Sequence, residues 1–387
     1  MTDAQDHHPP ASDRFRPLPV LRAMIDTIDR DMLQALARRN ALVSEIAQYK
    51  RAHNVCVRDP VRERELLEDR RERAEQLGLS CELVESLYRL LLRGSRDHQA
   101  ALRAQMSPDA APRVVSIIGG KGGMGRCLAS MFRELGQTVL IADTQTCLSP
   151  RAAAELGDVV LICVPIADTI AVIRELGPYV RAEAMLSDIT SVKSGPMEAM
   201  LASTQASVVG THPLFGPSVH SLQGQRVVMC RGRGDAWFGW LRELFEARGL
   251  MVQEATAHAH DEAMAVVQVL VHFATEVLGS TLADLDVSIE ETLSFTSPIY
   301  LLELSMAARH FAQSADLYAS IQFANPATDK VTQAFVDAAH RQRERVVGRD
   351  IEAIRVDFER VRDLFGPFTE RAMHQTSFLI DRLVERV

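Results

Sequence analysis

The chain has 387 residues, of which 47% are hydrophobic and 24% charged, and its formal net charge is -8 at pH 7. This length is sufficient for two or three hydrophobic cores. The acidic balance argues against a nucleic-acid-binding protein. No uninterrupted apolar run reaches the ~18 residues of a membrane helix, and the N-terminal stretch lacks the apolar core of a signal peptide, so we expect a cytoplasmic protein.

Metal and disulfide sites are not expected. The six cysteines are scattered along the chain without CxxC pairs, which predicts reduced thiols. His258, His260 and Asp261 lie close together in AHAHDEAM. Two histidines and an aspartate at a helix start are more often caps or surface residues than metal ligands, so no metal is predicted there.

The first part of the chain is polar and then helical. Residues 1–18 are polar, contain three prolines and predict a disordered tail. Apolar residues then recur at three- and four-residue spacing and predict a helix of about thirty residues. Asp59 and Pro60 predict the start of a second helix, and Ser80 caps a third that runs to about Gln105. Three such helices cannot enclose a good core alone, so we expect a homodimer.

The rest of the chain changes in pattern twice. After a predicted linker at 106–112, short apolar strands alternate with helices, which predicts an α/β, Rossmann-like domain over 113–255. Residues 256–387 are again helical in pattern and predict an all-α domain that covers the nucleotide domain and dimerises. The all-α segment at the other end spans 19–105, so the predicted fold class is multidomain: all-α, then α/β, then all-α.

A glycine pattern follows the first predicted strand. Gly120, Gly122 and Gly125 fit GxGxxG and precede a helix that opens at Met124, which is where a pyrophosphate binds. Asp143 ends the second strand about twenty residues later, at the position of a carboxylate that binds the adenosine ribose. No arginine follows Asp143 to accept a 2′-phosphate. The predicted cofactor is therefore NAD.

Polar residues follow the later strands. Pro165 comes after the third strand, Ser191 and Lys193 after the fourth, and His212 after the fifth. The carboxyl ends of parallel strands form the ligand-binding edge of such a sheet, so these residues are expected beside the nicotinamide. His212 is the predicted acid/base group, because a neutral imidazole can accept the proton of a hydroxyl.

The segments GGKGGMG, SVKSGP, GTHPLFGP, HDEAMAVVQVLVHF and SPIYLLELSMAARHF together resemble prephenate dehydrogenase. The resemblance implies that His212 hydrogen-bonds the C4 hydroxyl of prephenate during an NAD-dependent oxidative decarboxylation. It also implies that Arg309 binds a substrate carboxylate, that Ser191 and Lys193 line the same pocket, and that His272 lies near it.

One position departs from the family pattern. Relatives of the fused type usually have arginine directly after SPIY, where this chain has Leu301. The resemblance implies tyrosine as a possible feedback inhibitor. Leu301 at this position is expected to affect the contacts with the substrate carboxylate and the feedback inhibition more than the dehydrogenase reaction itself.

The leading helices carry a second set of charged and polar residues. Arg39 and Lys50 are eleven residues apart and share a helix face. Arg22 is ~25 Å from Arg39 along a straight helix, so it is either a surface residue or part of a site on another chain. From the charges alone, a solvated dimerisation hairpin is the favoured interpretation.

LRAMIDTIDRDMLQALARRNALVSEIAQYK, VRDPVRERELL and GSRDHQ resemble the all-helical chorismate mutase. The resemblance implies that eight side chains hold the carboxylates, the hydroxyl and the ether oxygen of chorismate. Those for the carboxylates and the ether oxygen are Arg22, Arg39, Lys50, Arg62 and Gln99. Those for the hydroxyl region are Asp59, Glu63 and Ser95. A pericyclic rearrangement needs such fixed charges and donors and no nucleophile.

Together, the resemblances imply a bifunctional chorismate mutase/prephenate dehydrogenase from about Leu21 to the C-terminus. One alternative retains the dehydrogenase and makes the helices a silent regulatory or dimerising module. Another is a different hydroxyacid dehydrogenase with Lys193 as its base and a partner-binding helical arm, which would show no decarboxylation.

Overall fold

The structure is a computed structural model that describes residues 15–53, 55, 59–105, 112–219 and 221–384. Most of the predicted tail, residues 1–14, and most of the predicted linker, residues 106–111, lie outside the described residues. The described chain has the predicted fold class, with a helical part, a part built on a mostly parallel sheet, and a second helical part.

Three helices form the first part: α1 (Leu18–Ala52), α2 (Pro60–Gln76) and α3 (Cys81–Gln105). Asp59 caps α2 by accepting the Arg62 N–H at 3.0 Å, as its sequence position predicts. Helix α1 packs along α3. With 35 residues it is longer than α3, which has 25, and α2, which has 17. Many of its apolar side chains are therefore exposed, including Leu33 at 66%. This exposure is consistent with the expected second chain.

A seven-stranded sheet organises the middle part, in the order β2-β1-β3-β4-β5-β6-β7. Strands β1 to β5 are parallel, β6 runs antiparallel to β5, and β7 is parallel to β6. The strands are β1 (Val114–Ile118), β2 (Thr138–Ala142), β3 (Val159–Ile162), β4 (Met185–Asp188), β5 (Ser207–Pro213), β6 (Arg226–Arg233) and β7 (Met251–Ala255).

Helices cover both faces of this sheet, and each face has its own apolar core. The helices are α4 (Gly123–Glu134), α5 (Pro150–Leu156), α6 (Ile166–Leu176), α7 (Ser194–Ser203) and α8 (Asp235–Ala247). Because β1 is flanked by β2 and β3, the chain order reverses there. The crevice at the carboxyl ends of these strands is the ligand position expected for this topology.

The last part consists of α9 (Ala257–Met264), a π-helical segment at Ala265–Leu270 and seven further helices. They are α10 (Val271–Asp284), α11 (Ile289–Ser294), α12 (Pro298–Phe311), α13 (Ala315–Ala324), α14 (Thr328–Val347), α15 (Ile351–Phe365) and α16 (Phe368–Val384). By length and composition alone, Ala257–Asp284 is apolar enough to cross a membrane. Its first turns carry His260 and Asp261, buried polar residues of the candidate site described below.

Candidate active sites

The turn between β1 and α4 is built from glycines that pack closely. Gly119 has a φ of +82°, and a Cβ there would lie 2.5 Å from the Cys163 carbonyl oxygen. A Cβ on Gly120 would lie 2.7 Å from Cγ2 of Ile141, and one on Gly125 would lie 2.5 Å from the Gly119 carbonyl oxygen. The chain therefore turns sharply and leaves backbone N–H groups facing the cleft at the start of α4.

Asp143 lies at the end of β2, facing the same turn. Its carboxylate accepts the backbone N–H of Lys121 at 2.9 Å and that of Thr144 at 2.8 Å. The hydrogen bond from Lys121 is the largest influence on the pKa of Asp143, and the pKa lies below its usual value. The carboxylate is thus held ionised, as an acceptor for hydroxyl groups.

The glycine turn and Asp143 border a cleft of about 700 Å³. Of the predicted cofactor residues, Gly122, Asp143 and Pro165 line it. Gly120 and Gly125 form the close packing of the turn, and Met124 is partly buried in the first turn of α4. A glycine cradle, a helix start and a carboxylate in one cleft fit a dinucleotide, so the residues present suit the implied cofactor.

A chain of hydrogen bonds runs through the second predicted site. Nδ1 of His212, on β5, lies 2.8 Å from Nε2 of His260 on α9. Nδ1 of His260 lies 2.8 Å from Oδ1 of Asp261. His212, His260 and Asp261 are 3%, 2% and 1% exposed. The expectation that His260 is a cap or surface residue was therefore wrong. Thr256 caps α9 instead, and His260 is buried against His212.

The ionisation of this chain follows from its contacts. Burial acts to raise the pKa of Asp261, but hydrogen bonds from His260, Ser194 and Lys193 outweigh it and lower the pKa to about 2. Burial, with the nearby His260 and Lys193, holds the pKa of His212 well below its usual value. An ionised Asp261 must accept a hydrogen bond from His260, and His260 then accepts one from His212. This order leaves Nε2 of His212 unprotonated, as an acceptor, at neutral pH.

Lys193 is fully buried beside His212. Its ammonium donates to Oδ2 of Asp188 and, at 2.7 Å, to the carbonyl of Thr211. These contacts fix the backbone next to His212, and the contact of Lys193 with substrate stays a prediction. Ser191, in the same loop, is partly exposed.

The substrate side of His212 is formed by the helices of the last part. Nε2 of Gln268, in the π-helical segment, lies 3.4 Å from Nε2 of His212. His272 follows four residues later, and its ring lies 4.6 Å from that of Tyr318. Burial raises the pKa of Tyr318, and the positive charge of the exposed Arg309 nearby offsets part of this rise. The predicted residues His272 and Arg309 thus meet at one corner, around Tyr318.

The mutase-like site is formed between α1 and α3. Nη1 of Arg39 donates to Oγ of Ser95 at 2.5 Å, and Ser95 donates to the carbonyl of Leu91 at 2.6 Å. Ser95 and Gln99 lie one turn apart on α3 and are 6% and 7% exposed. The structure therefore brings Arg39, Ser95 and Gln99 together. Lys50, three turns after Arg39 on α1, is partly buried.

Other side chains predicted for this site already form contacts within the chain. The Glu63 carboxylate accepts Nη1 of Arg96 at 2.7 Å, which ties α2 to α3. Asp59 caps α2, while the Arg62 side chain is exposed and 3.4 Å from Glu65. Arg96 was missed by the sequence analysis. Its place beside Ser95 was the available signal.

Arg22 stands apart from this cluster. Helix α1 is continuous from Leu18 to Ala52, so the seventeen residues from Arg22 to Arg39 span ~25 Å. Arg22 is exposed. Within one chain, the structure does not bring Arg22 to the other predicted mutase residues.

Four buried polar atoms at these sites have no hydrogen-bond partner among the described residues. They are Oε1 of Gln99, Oδ1 of Asp188, Oε1 of Gln268 and Nδ1 of His272. Buried polar groups are normally paired, so the predicted residues Gln99 and His272, and Gln268 beside His212, are positions where a bound ligand would supply the missing partner. No sequence motif indicated Gln268 or the pairing of His260 with Asp261. The adjacency of His and Asp in AHAHDEAM was the one signal for the latter.

Comparison with known families divides the chain into three matches. Residues 21–100 match chorismate mutase type II. Residues 133–254 match the nucleotide-binding domain of prephenate dehydrogenase, and residues 256–360 match the prephenate dehydrogenase dimerization domain. The nucleotide-binding match begins after the glycine turn. The assignment of that turn to cofactor binding therefore rests on its close packing and its contact with Asp143.

Two similar proteins extend over nearly the whole chain. The T-protein of Haemophilus influenzae is 32% identical over 362 residues, which cover 94% of this chain and 96% of that protein. The T-protein of Enterobacter agglomerans is 35% identical over 367 residues, covering 94% and 97%. A crystal structure of prephenate dehydrogenase from A. aeolicus with hydroxyphenyl propionate and NAD+ has the same fold, with a TM-score of 0.55 and 18% identity. That likeness covers 66% of this chain and 98% of the other.

Proposed function

The chain belongs to the T-protein family of bifunctional chorismate mutase/prephenate dehydrogenases, and from this premise we propose how its residues share the two reactions. The enzyme rearranges chorismate to prephenate and oxidatively decarboxylates prephenate to 4-hydroxyphenylpyruvate with NAD, in tyrosine biosynthesis. We assign the mutase to residues 19–105, cofactor binding to 113–255, and dimerisation with part of the dehydrogenase site to 256–387.

In the mutase, the residues act by position and charge. Arg39 lies against Ser95, and Gln99 follows one turn later on α3 and is buried like Ser95. Arg39 would bind a carboxylate of chorismate through its planar fork, while Lys50 and Gln99 donate to the ether oxygen as negative charge develops there. Holding the dianion in a compact conformer supplies the remaining acceleration.

We propose that Arg22 acts in the mutase site of the partner chain. Its distance from Arg39 excludes a common small-molecule site along α1, and the apolar residues around it are exposed. A second copy packed on α1 would bury those residues and bring its own Arg22 to the site. Arg62 and Asp59 would form the edge of the same pocket.

In the dehydrogenase, His212 is the base. The order of hydrogen bonds from Asp261 through His260 leaves Nε2 of His212 free to accept the proton of the C4 hydroxyl of prephenate. Bound NAD supplies the acceptor for the hydride that leaves the same carbon. As the ring carboxylate departs as carbon dioxide, the ionised Asp261 stabilises the positive charge gained by the two imidazoles. This hydrogen-bond chain is the observation that carries the dehydrogenase assignment.

The remaining residues position the reactants. Arg309 and His272, around Tyr318, would bind a carboxylate of prephenate, with Ser191 at the opposite edge. Lys193 holds the backbone of Thr211 and so fixes His212. The dihydroxy edge of the NAD ribose would bind Asp143, and the pyrophosphate would bind the turn at Gly120, Gly122 and Gly125 beside Met124. Pro165 would form the wall of the cleft.

We propose tyrosine as an inhibitor that competes for the carboxylate site of Arg309, with Leu301 making that site less basic than in relatives that have arginine. We also propose a cytoplasmic homodimer. The dimerization match over residues 256–360 and the exposed apolar residues of α1 support the dimer.

The two activities can be separated in one experiment. Purified protein given chorismate without NAD should consume chorismate and accumulate prephenate, whereas chorismate with NAD should also give NADH and carbon dioxide. A silent helical module would leave chorismate unchanged in both mixtures while NADH still forms from supplied prephenate. A different hydroxyacid dehydrogenase would release no carbon dioxide, and its proposed base, Lys193, is buried in an ion pair.

A further inference from the structure

Two side chains of opposite charge, Lys121 and Asp143, line the cofactor cleft at the end of β2. Lys121, in the middle of the glycine turn, donates its backbone N–H to Asp143 at 2.9 Å. Its ammonium crosses the mouth of the cleft to the Gln145 carbonyl, two residues after Asp143, at 2.8 Å. Lys121, Asp143 and Gln145 all line the cleft, and Lys121 is exposed.

These two charges favour different adenosine riboses. A carboxylate accepts hydrogen bonds from a 2′,3′-diol and repels a 2′-phosphate. An ammonium does the reverse, since it attracts a phosphate as a point charge and gains little from a neutral diol. The Gln145 carbonyl holds the ammonium by one neutral acceptor, which a phosphate can replace at little cost. The carboxylates of Asp168 and Glu175 also line the cleft, on α6.

We propose that Lys121 is a second determinant of cofactor specificity and that it acts against Asp143. The Asp143 carboxylate repels the 2′-phosphate of NADP, while the Lys121 ammonium attracts it. The chain therefore discriminates against NADP less strongly than it would if Asp143 acted without Lys121. This inference rests on the proposed contact between Asp143 and the ribose.

Binding constants test the proposal without turnover. NADH and NADPH are titrated by fluorescence against wild type, Lys121→Met, Asp143→Asn and the double variant Asp143→Asn/Lys121→Met. Methionine retains the length of the side chain without its charge. The matched control is Asp143→Asn/Arg133→Met, because Arg133 is an exposed cation in the last turn of α4, ~15 Å along the helix from the glycine turn.

Asp143→Asn should weaken the binding of NADH by about tenfold or more, because a charge-assisted hydrogen bond to the ribose is lost. It should tighten the binding of NADPH, because the repulsion of the 2′-phosphate is lost. Adding Lys121→Met should weaken NADPH by about tenfold, change NADH much less, and flatten the salt dependence of NADPH binding. The Arg133→Met control should leave NADPH binding as it is in Asp143→Asn.

Two results would overturn the proposal, and they are distinct. If the double variant binds NADPH as tightly as Asp143→Asn does, Lys121 is not a determinant, while the role of Asp143 stands. If Asp143→Asn binds both nucleotides as wild type does, the proposed contact of Asp143 with the ribose is wrong, and the inference built on it fails too.

Discussion

The two active sites of this chain differ in how completely one chain builds them. The dehydrogenase site has its base, the second imidazole and the carboxylate buried together, from His212 on β5 to Asp261 on α9. The mutase site has a buried centre at Arg39, Ser95 and Gln99, but Arg22 lies ~25 Å away on the same helix.

The supporting structure explains the difference. A seven-stranded sheet with helices on both faces has enough interior to bury a hydrogen-bonded polar chain within one polypeptide. Three thin helices do not, because too little of their surface can be turned away from water. A functional site on such a small helical unit is therefore completed at an interface.

The largest effect should follow the loss of the dehydrogenase base. His212→Asn should bind NAD and prephenate but turn over ~10²–10⁴-fold more slowly, because the group that accepts the hydroxyl proton is gone. Mutase activity should be unchanged. The matched control is His258→Asn, since His258 lies on α9 with a side chain that is 80% exposed. Normal turnover in the His212→Asn variant would remove His212 from the mechanism.

In the mutase, Arg39→Ala should slow chorismate turnover by about 10²–10³-fold, the usual cost of one preorganised donor. NADH formation from supplied prephenate should stay normal, because that site lies in another domain. Arg38→Ala removes a neighbouring exposed arginine and should leave both activities unchanged. Loss of both activities in the Arg39 variant would contradict the division of the chain into two independent sites.

A smaller effect is expected when the hydrogen-bond chain is cut behind the base. Asp261→Asn should lower dehydrogenase kcat by less than the ~10²–10⁴-fold expected for the base itself, with little change in the KM for NAD. Glu262→Gln changes the neighbouring exposed carboxylate and is the control. Because Asp261 also accepts the backbone N–H groups of Lys193 and Ser194, retained mutase activity and circular dichroism should accompany the measurement.

The smallest effect concerns pH. The base must be neutral, so dehydrogenase kcat/KM falls as pH drops through the pKa of His212. Burial and the nearby His260 and Lys193 hold that pKa well below its usual value. Wild-type kcat/KM should therefore stay level as pH falls through ~6.5, the ordinary value for histidine, and should decline only at lower pH. A limb of the profile at ~6.5 would show that this lowering is absent in the free enzyme.

Sequence patterns anticipated the elements better than the side-chain contacts. Helix caps such as Asp59 and the glycine turn are local, so spacing along the chain reveals them. Some contacts of the dehydrogenase site are not local. His260 meets His212 across 48 residues, and Asp261 accepts the backbone N–H of Lys193 across 68 residues. Such long-range pairs depend on how elements pack, which residue type and spacing do not encode.

Two subunit-mixing measurements test the contrast between the sites most directly. Arg22→Ala and Arg39→Ala homodimers should each be nearly inactive as mutases. After unfolding and reassembly in equal amounts, about half the dimers are mixed and each has one intact mutase site, so roughly a quarter of wild-type activity should return. His212→Asn mixed with Asp261→Asn should give only the average dehydrogenase activity of the parents, because both residues serve the same chain.

Subunit exchange is confirmed by mass in both mixtures. If the mutase mixture stays as inactive as its parents, Arg22 does not complete the partner's site and the shared-site account is wrong. If the dehydrogenase mixture instead rises above the average of its parents, by up to about a quarter of wild-type activity, the hydrogen-bond chain is formed between subunits, and the contrast between the two sites fails.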